Sequence, residues 1–340
     1  MTDFYDLSPE EQANRLQAMA ARALEERGIN YRAISLIKYR ENAVFRVDTA
    51  TENILALRIH RPGYHTDAEL HSELQWMKAL AGAGIDVPEV IATGSNDLFT
   101  VVETPGVPEP RQIDLFAWIE GRQLGSVEGG LNDHGDAVHS TYRVIGELAA
   151  RLHNQAAHWT LPPGFTRHAW DAEGLVGDEP LWGRFWELEA LTDGQRELLL
   201  SARERVRREL GQYGKKPARY SLIHADFSPE NLIVDGENVK LIDFDDAGFG
   251  WHLFELATAL YFIQSEPYFE TARDALVEGY REYRDLPDEE LAELPLFMLA
   301  RGFTYLGWVH TRPETETARE FTPVLIEMAC SLARDYLERQ

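Results

Sequence analysis

The apolar positions of this chain change their period near residue 120. Before that point short runs alternate apolar and polar residues, the period of two that lines one face of a strand. Such runs read as strands over 33–39, 44–48, 54–60, 98–103 and 113–119, with a further short one over 89–93. In the run 54–60, Leu55, Leu57 and Ile59 share one face, while Ala56, Arg58 and His60 share the other. One face meets a core and the other sets a small residue beside a fixed cation. From the strand alone, that cation serves a phosphate or plain solvation equally well. Two helices flank these runs. Ser8, Pro9 and Glu11 start one with a capping box, and Gly28 ends it. Thr66 and Glu69 cap the other, over 66–81, whose stripe is Leu70, Leu74, Met77 and Ala81. Glu73 falls on the edge of that stripe, where a carboxylate needs a partner. Arg58 is the natural candidate.

Beyond Glu120-Gly121 the apolar spacing becomes helical. Ile145, Leu148, Ala149, Leu152 and Ala156 mark a helix over 141–158. Further helical runs cover 192–211, 253–264, 268–283, 289–310 and 314–338. Residues 160–186 are rich in Trp, Pro and Gly without a period, which suits a lid, a substrate loop or a packed connection. Within this half lies one strand-like stretch, Ser221 to Gly250. Its centre reads as a hairpin, with Leu232-Ile233-Val234 and Val239-Lys240-Leu241-Ile242 joined through Asp235-Gly236-Glu237-Asn238. A hairpin brings its ends together, so Asn231 and Asp243 become neighbours, with His224 and Asp226 just upstream. Two carboxylates and an amide then face one point. Such a set suits a divalent cation with oxygen ligands, and leaves one carboxylate to accept a proton.

Composition narrows the classes. With 340 residues, 44% hydrophobic and 26% charged, the chain is of ordinary globular make and long enough for two lobes. One cysteine, Cys330, rules out a disulfide framework within the chain. No apolar run approaches the roughly 18 residues of a membrane span, and there is no N-terminal apolar leader, so a soluble cytoplasmic protein without membrane contact is expected. The net charge of −24 argues against nucleic-acid backbone binding. It suits a cationic small molecule, or simply solubility.

The segment His224-Ala225-Asp226 with Asn231 five residues on, and Asp243 in Ile-Asp-Phe-Asp twelve later, resembles the catalytic and metal-binding segments of the aminoglycoside phosphotransferase family. That family has the protein-kinase-like fold and includes choline, homoserine, hydroxylysine and bacterial stress-response kinases. The resemblance extends over nearly the whole chain. Leu55-Ala56-Leu57-Arg58 stands where kinases carry Val-Ala-Ile-Lys, Glu73 where their helix carries its glutamate, Ile113–Gly121 at the hinge, and Leu148–His153 in the helix before the catalytic segment. It implies an α+β fold of two lobes: a mixed antiparallel-sheet lobe over 1–112, a hinge over 113–121, and a mostly helical catalytic lobe over 122–340, with the nucleotide in the cleft between.

It also implies ATP and Mg2+ as cofactors and a small-molecule hydroxyl as acceptor. Phosphoryl transfer asks a protein mainly to position substrates and neutralise phosphate charge. Asn231 and Asp243 are then the metal ligands. Asp226 accepts a hydrogen bond from the acceptor hydroxyl. His224, grouped with it as catalytic, holds the loop by hydrogen bonds. Arg58, Glu73, Ala56, Asn42, Ala117 and Trp118 make up the nucleotide-binding set. Several positions depart from the protein-kinase pattern. Arg58 replaces lysine and brings a fork in place of a point charge. Arg40-Glu41-Asn42-Ala43 stands where kinases have a glycine-rich loop, Ala225 replaces the arginine of His-Arg-Asp, and Asp245 replaces the glycine of Asp-Phe-Gly. No Ala-Pro-Glu follows, so control by activation-loop phosphorylation is not expected.

For the acceptor, Asp245, Asp246 and Glu255 with Trp251 are the candidates, Tyr305 and Trp308 being possible wall residues. An acidic and aromatic pocket suits an amino alcohol, or a homoserine- or hydroxylysine-like compound. Arg301 and His310 are assigned to helix-end carboxylates. The expected activity is an ATP- and Mg2+-dependent kinase of such a hydroxyl. The alternatives are a protein Ser/Thr kinase resembling the stress-response kinases, and a nucleotide-binding pseudokinase.

Overall fold

A computed structural model describes residues 4–126, 130–131, 136–236 and 238–339. The chain divides into two compact units, Met1–Glu120 with Leu161–Thr166, and Gly121–Thr160 with Arg167–Gln340.

In the first unit, Ser8 Oγ accepts the Glu11 N–H and the Glu11 carboxylate returns to the Ser8 N–H, so the expected capping box opens α1, Pro9–Glu26. The strands are β1 Tyr31–Tyr39, β2 Ala43–Thr49 and β3 Ile54–Ile59, and, after α2 at Asp67–Gly82, β4 Phe99–Val102 and β5 Arg111–Ala117. They form one antiparallel sheet in the order β1-β2-β3-β5-β4. The period of two is visible in β2, where Ala43, Phe45, Val47 and Thr49 are buried and the residues between them are not. Phe45, Val47, Leu57 and Ile59 meet Leu16, Met19, Ala20 and Leu24 of α1 in the core. Two expectations fail here. Residues 89–93 form no full strand: Val90 makes an isolated bridge to Phe116, flanked by the Ile91 N–H to Leu115 O and the Ala117 N–H to Glu89 O, and the Thr93 N–H turns to Asp97 O. Ala81 is exposed while Leu80 is buried, so the stripe of α2 turns further round than the spacing suggests, and it carries Glu73 fully inside.

In the second unit the short strands β6 Arg122–Gln123, β7 Gly125–Ser126 and β8 Gly130–Leu131 precede α3, Asp136–His158. Then follow β9 Ala169–Trp170, α4 Ala172–Val176 and α5 Asp193–Tyr213. Of the stretch 160–186, Leu161–Thr166 belongs to the first unit, and the rest holds the short elements β9 and α4. β10 Tyr220–Ile223, β11 Leu232–Asp235, β12 Asn238–Leu241 and β13 Gly248–Trp251 come next, and the helices α6 His252–Tyr261, α7 Phe269–Tyr283, α8 Asp288–Leu291, α9 Leu294–His310 and α10 Glu316–Glu338 complete the unit. α3 and α7 approach backbone to backbone: a Cβ on Gly146 would strike the Leu276 carbonyl, and one on Gly279 the Arg143 carbonyl. The hairpin forms as the Asp-Gly signal predicts. Leu232 pairs with Leu241 and Asp235 with Asn238, and Gly236 takes φ +63°, which a side chain would resist. Glu237 of that turn lies outside the described residues.

Candidate active site

β10 ends at Ile223 and the chain loops from His224 to Asn231 before β11. Ala225 sits in the left-handed region at φ +66°, a costly conformation for a residue with a Cβ. Side chains from distant helices hold it there. Glu255, buried on α6, accepts the His224 N–H on Oε1 and the Ala225 N–H on Oε2, both at 2.7 Å. Arg301, buried on α9, donates from Nη1 to the Ala225 carbonyl at 3.1 Å. The His224 ring accepts the Asp226 N–H on Nδ1 at 3.2 Å and donates from Nε2 to the Ile242 carbonyl at 3.0 Å. Both ring nitrogens are therefore engaged with backbone, and burial pushes the imidazole down to about 4. His224 is a brace between the loop and the hairpin. It has no free face for a proton in transit.

Asp226 stands at the end of this braced loop. Its Oδ1 accepts from Arg301 Nη2 at 3.0 Å, and its Oδ2 accepts from Asn231 Nδ2 at 2.6 Å. Its side chain nevertheless stays 24% exposed, against 0% for Arg301, so the carboxylate reaches the surface that the guanidinium does not. Burial pushes this carboxyl up to about 7 against the pull of Arg301, with Asp246, Asp243 and Glu230 adding to the rise. The hairpin closes the set: the Ile242 N–H donates to Asn231 O at 2.9 Å, which brings Asp243 beside Asn231. Asp243 is exposed and left-handed at φ +65°. Because the Asn231 amide nitrogen is spent on Asp226, its oxygen is the atom it offers outward. A carboxylate next to an amide oxygen fits a hard divalent cation such as Mg2+.

The remaining acceptor candidates divide. Asp245 and Asp246 lie on a turn fixed through its carbonyls. Arg167 Nη2 donates to Asp245 O at 2.6 Å, while His168 Nε2 at 3.0 Å and Trp170 Nε1 at 2.8 Å both donate to Asp246 O. Trp251 is a core residue. It is 1% exposed, its indole N–H donates to Gly214 O, and its ring packs on Tyr213, Tyr220 and Phe297. Glu255 serves the loop backbone from the interior rather than a ligand. Arg301 does not meet a helix-end carboxylate; it meets Asp226. His310 does, its Nε2 lying 4.0 Å from Glu187. Sequence reasoning passed over Arg167 and gave Arg301 the wrong partner. The signal was a lone arginine in the otherwise apolar stretch Leu294–Leu306, where a charge has to be paired.

In the first unit, Arg58 and Glu73 pair as expected, Nη2 to Oε1 at 2.6 Å. A third member was not foreseen. Asp114 of β5 accepts from Arg58 Nε at 3.2 Å and Nη2 at 2.7 Å, and His60 Nε2 lies 3.0 Å from it. Burial alone would raise the Asp114 carboxyl, yet Arg58 and His60 hold it at about 2. Of the other candidates here, Asn42 Oδ1 accepts the Arg61 N–H, Ala56 pairs with Arg46 and Phe116, and the Ala117 and Trp118 N–H groups donate to Glu89 O and Ile54 O. The Trp118 ring lies under the Arg46 guanidinium.

A five-stranded antiparallel sheet with its helix, followed by a helical unit holding a braced His-x-Asp loop and a hairpin, is the build of the protein-kinase-like phosphotransferases. The phosphotransferase enzyme family (APH) matches residues 35–292, and this chain belongs to it. It is accordingly a phosphotransferase with an alcohol group as acceptor. Its structure is similar to that of the microcompartment-associated aminopropanol kinase, with a TM-score of 0.82 and 31% identity over 94% of this chain and 97% of that one. It is 28% identical over 285 residues to the homoserine kinase of Rhizobium meliloti (strain 1021), covering 80% of this chain and 78% of the relative. The amicoumacin kinase solved with AMP-PNP, Ca2+ and Ami shares the fold at a TM-score of 0.74 and 17% identity, over 95% and 96% of the two chains. Among the described residues no helix is long and apolar enough to cross a membrane.

Proposed function

We propose that this chain transfers the γ-phosphate of ATP to the hydroxyl of a small amino alcohol, with Mg2+ as its metal. The observation that carries this is Asp226, fixed at both oxygens by Arg301 and Asn231 while keeping an exposed edge. A carboxylate so held orients an acceptor hydroxyl for in-line attack and takes up its proton. Asp243 and Asn231 are the groups to hold Mg2+, whose charge neutralises that of the transferring phosphates. His224 and Glu255 keep the loop in place. Arg58, Glu73, Ala56, Asn42, Ala117 and Trp118 remain the residues proposed to serve the nucleotide. The complex of the amicoumacin kinase with AMP-PNP is in keeping with an adenine nucleotide donor.

The charge around Asp226 speaks for an amine in the acceptor. Asp243, Asp246 and Glu230 all raise its proton affinity, and Arg301 is the cation that opposes them. An ammonium group near Asp246 would relieve that excess. The likeness to an aminopropanol kinase at 31% identity supports the same class. ADP release measured with 1-aminopropan-2-ol, ethanolamine, choline, homoserine, hydroxylysine and propane-1,2-diol tests it. The best primary amino alcohol is expected to exceed the diol by about tenfold to a hundredfold in kcat/KM, the worth of a charged hydrogen bond. Equal rates for the diol would remove the amine from the reading, and no metal-dependent ADP release with any acceptor would remove the activity.

A further inference from the structure

We propose that Arg301 is a positioning residue for phosphoryl transfer, a single guanidinium that locks the backbone of Ala225 and the carboxylate of Asp226 together. The inference rests on the assignment of Asp226 as the group that receives the acceptor hydroxyl.

α9 is buried along almost its whole length and, Arg301 apart, apolar or uncharged from Leu294 to Leu306. Burying a guanidinium there costs desolvation that an aliphatic side chain would avoid. What the charge does in return is geometric. Nη1 reaches Ala225 O at 3.1 Å, and Nη2 reaches Asp226 Oδ1 at 3.0 Å and Tyr305 Oη at 2.8 Å. The two arms of one planar group thus grip a carbonyl and the next residue's carboxylate, which fixes that carboxylate relative to its own main chain. The plane of the guanidinium is itself fixed, with its central carbon 4.2 Å from the Tyr305 ring centroid, 4.9 Å from that of Trp182 and 5.6 Å from that of Phe254. Glu255 holds the N–H side of the same loop, so the left-handed Ala225 is pinned at its N–H by an anion and at its carbonyl by a cation. Asn231 holds the other carboxylate oxygen. Without Arg301, Asp226 keeps its access to solvent and its bond to Asn231 but gains rotational freedom about its own side chain. Misplacement by about 1 Å costs about a hundredfold in rate.

Arg301→Met and Arg301→Lys in the full chain, assayed beside Asp226→Asn and the natural enzyme, test the role. In Arg301→Met, kcat is expected to fall about a hundredfold while KM for ATP and for the acceptor stays within about threefold. Arg301→Lys keeps the charge but reaches fewer acceptors, and is expected to recover kcat to about tenfold below the natural enzyme. An arginine that merely stabilises the core would move melting temperature and both KM values with the rate, and lysine would restore nothing; either result overturns the proposal. If Arg301→Met gives no cooperative melt, Arg301→Lys decides alone: a lowered kcat with unchanged KM supports the role, and an undiminished kcat refutes it. Should Asp226→Asn match the natural enzyme, the proposed function is what fails. Should Asp226→Asn be impaired while both arginine variants are not, only this inference fails.

Discussion

Asparagine in place of Asp226 is expected to lower kcat by about a hundredfold to ten-thousandfold, the usual worth of a positioned general base, while nucleotide affinity changes by less than about threefold. The amide keeps the size of the carboxylate and one of its two acceptor oxygens, so it can still receive Arg301, while Asn231 keeps its bond to the Asp226 carbonyl. What is lost is the negative charge that takes the hydroxyl proton. Steady-state rates together with titration of a non-hydrolysable ATP analogue separate the two effects. The pH profile gives a second check. Because burial raises this carboxyl from its ordinary range to about 7, the base is protonated in acid, and kcat/KM is expected to rise with pH along a limb centred near 7. If Mg2+ binds at the neighbouring Asp243 as proposed, it favours the charged form of Asp226, and raising Mg2+ is expected to move that limb toward lower pH. A profile flat from pH 5 to 8, or an active Asp226→Asn enzyme, would take the base role away from this residue.

Arg58→Met is the second large effect, and it is one of stability. Arg58 is the cation between Glu73 and Asp114, whose side chains are wholly buried. Removing one partner of a buried pair costs about 3–5 kcal/mol, because the other charge is left without compensation. Here two carboxylates lose their shared partner, which places the expected loss at the upper end of that range. Urea unfolding measures it, and a loss under about 1 kcal/mol would show that water or His60 replaces the guanidinium. The sign with pH follows from Asp114. Its folded value of about 2 lies below the ordinary 3.8, so the stability it contributes is whole above the ordinary value and is lost as pH falls through about 2. The gap between Arg58→Met and the natural protein is therefore expected to narrow in acid.

Features set by neighbours in sequence were legible. The capping boxes at Ser8 and Thr66 and the Asp-Gly hairpin depend on contacts within a few residues, and each formed as the sequence suggested. The Arg58–Glu73 pair was legible for a different reason. The period of a strand and that of a helix each left one charge on a buried face, and two such charges of opposite sign seek each other. Asp114 hid because β5 is buried on both sides, so no alternation marked which face it takes. Arg301 hid because its partner lies 75 residues upstream, and helical spacing says nothing about what an inward side chain meets. Trp251 was misread for the opposite reason. Tryptophan serves cores and ligand pockets alike, and only packing tells which. Glu255 looked like an acceptor residue because it follows the metal segment, whereas it sits behind the loop and faces its amides.

The six residues Leu161–Thr166 have a bearing on how the chain is built in time. They belong to the first unit, where the Thr166 N–H donates to Ser72 Oγ of α2, although all of α3 separates them from Glu120. During synthesis the first unit therefore waits for Thr166 to leave the ribosome before its last piece is in place. Cutting the gene at the Glu120-Gly121 boundary would not yield a finished N-terminal module. A chain stopped at Glu120 is expected to be cleaved by protease within α2 faster than one that runs on through Thr166, and equal cleavage would mean that the returning segment adds nothing to the fold it joins.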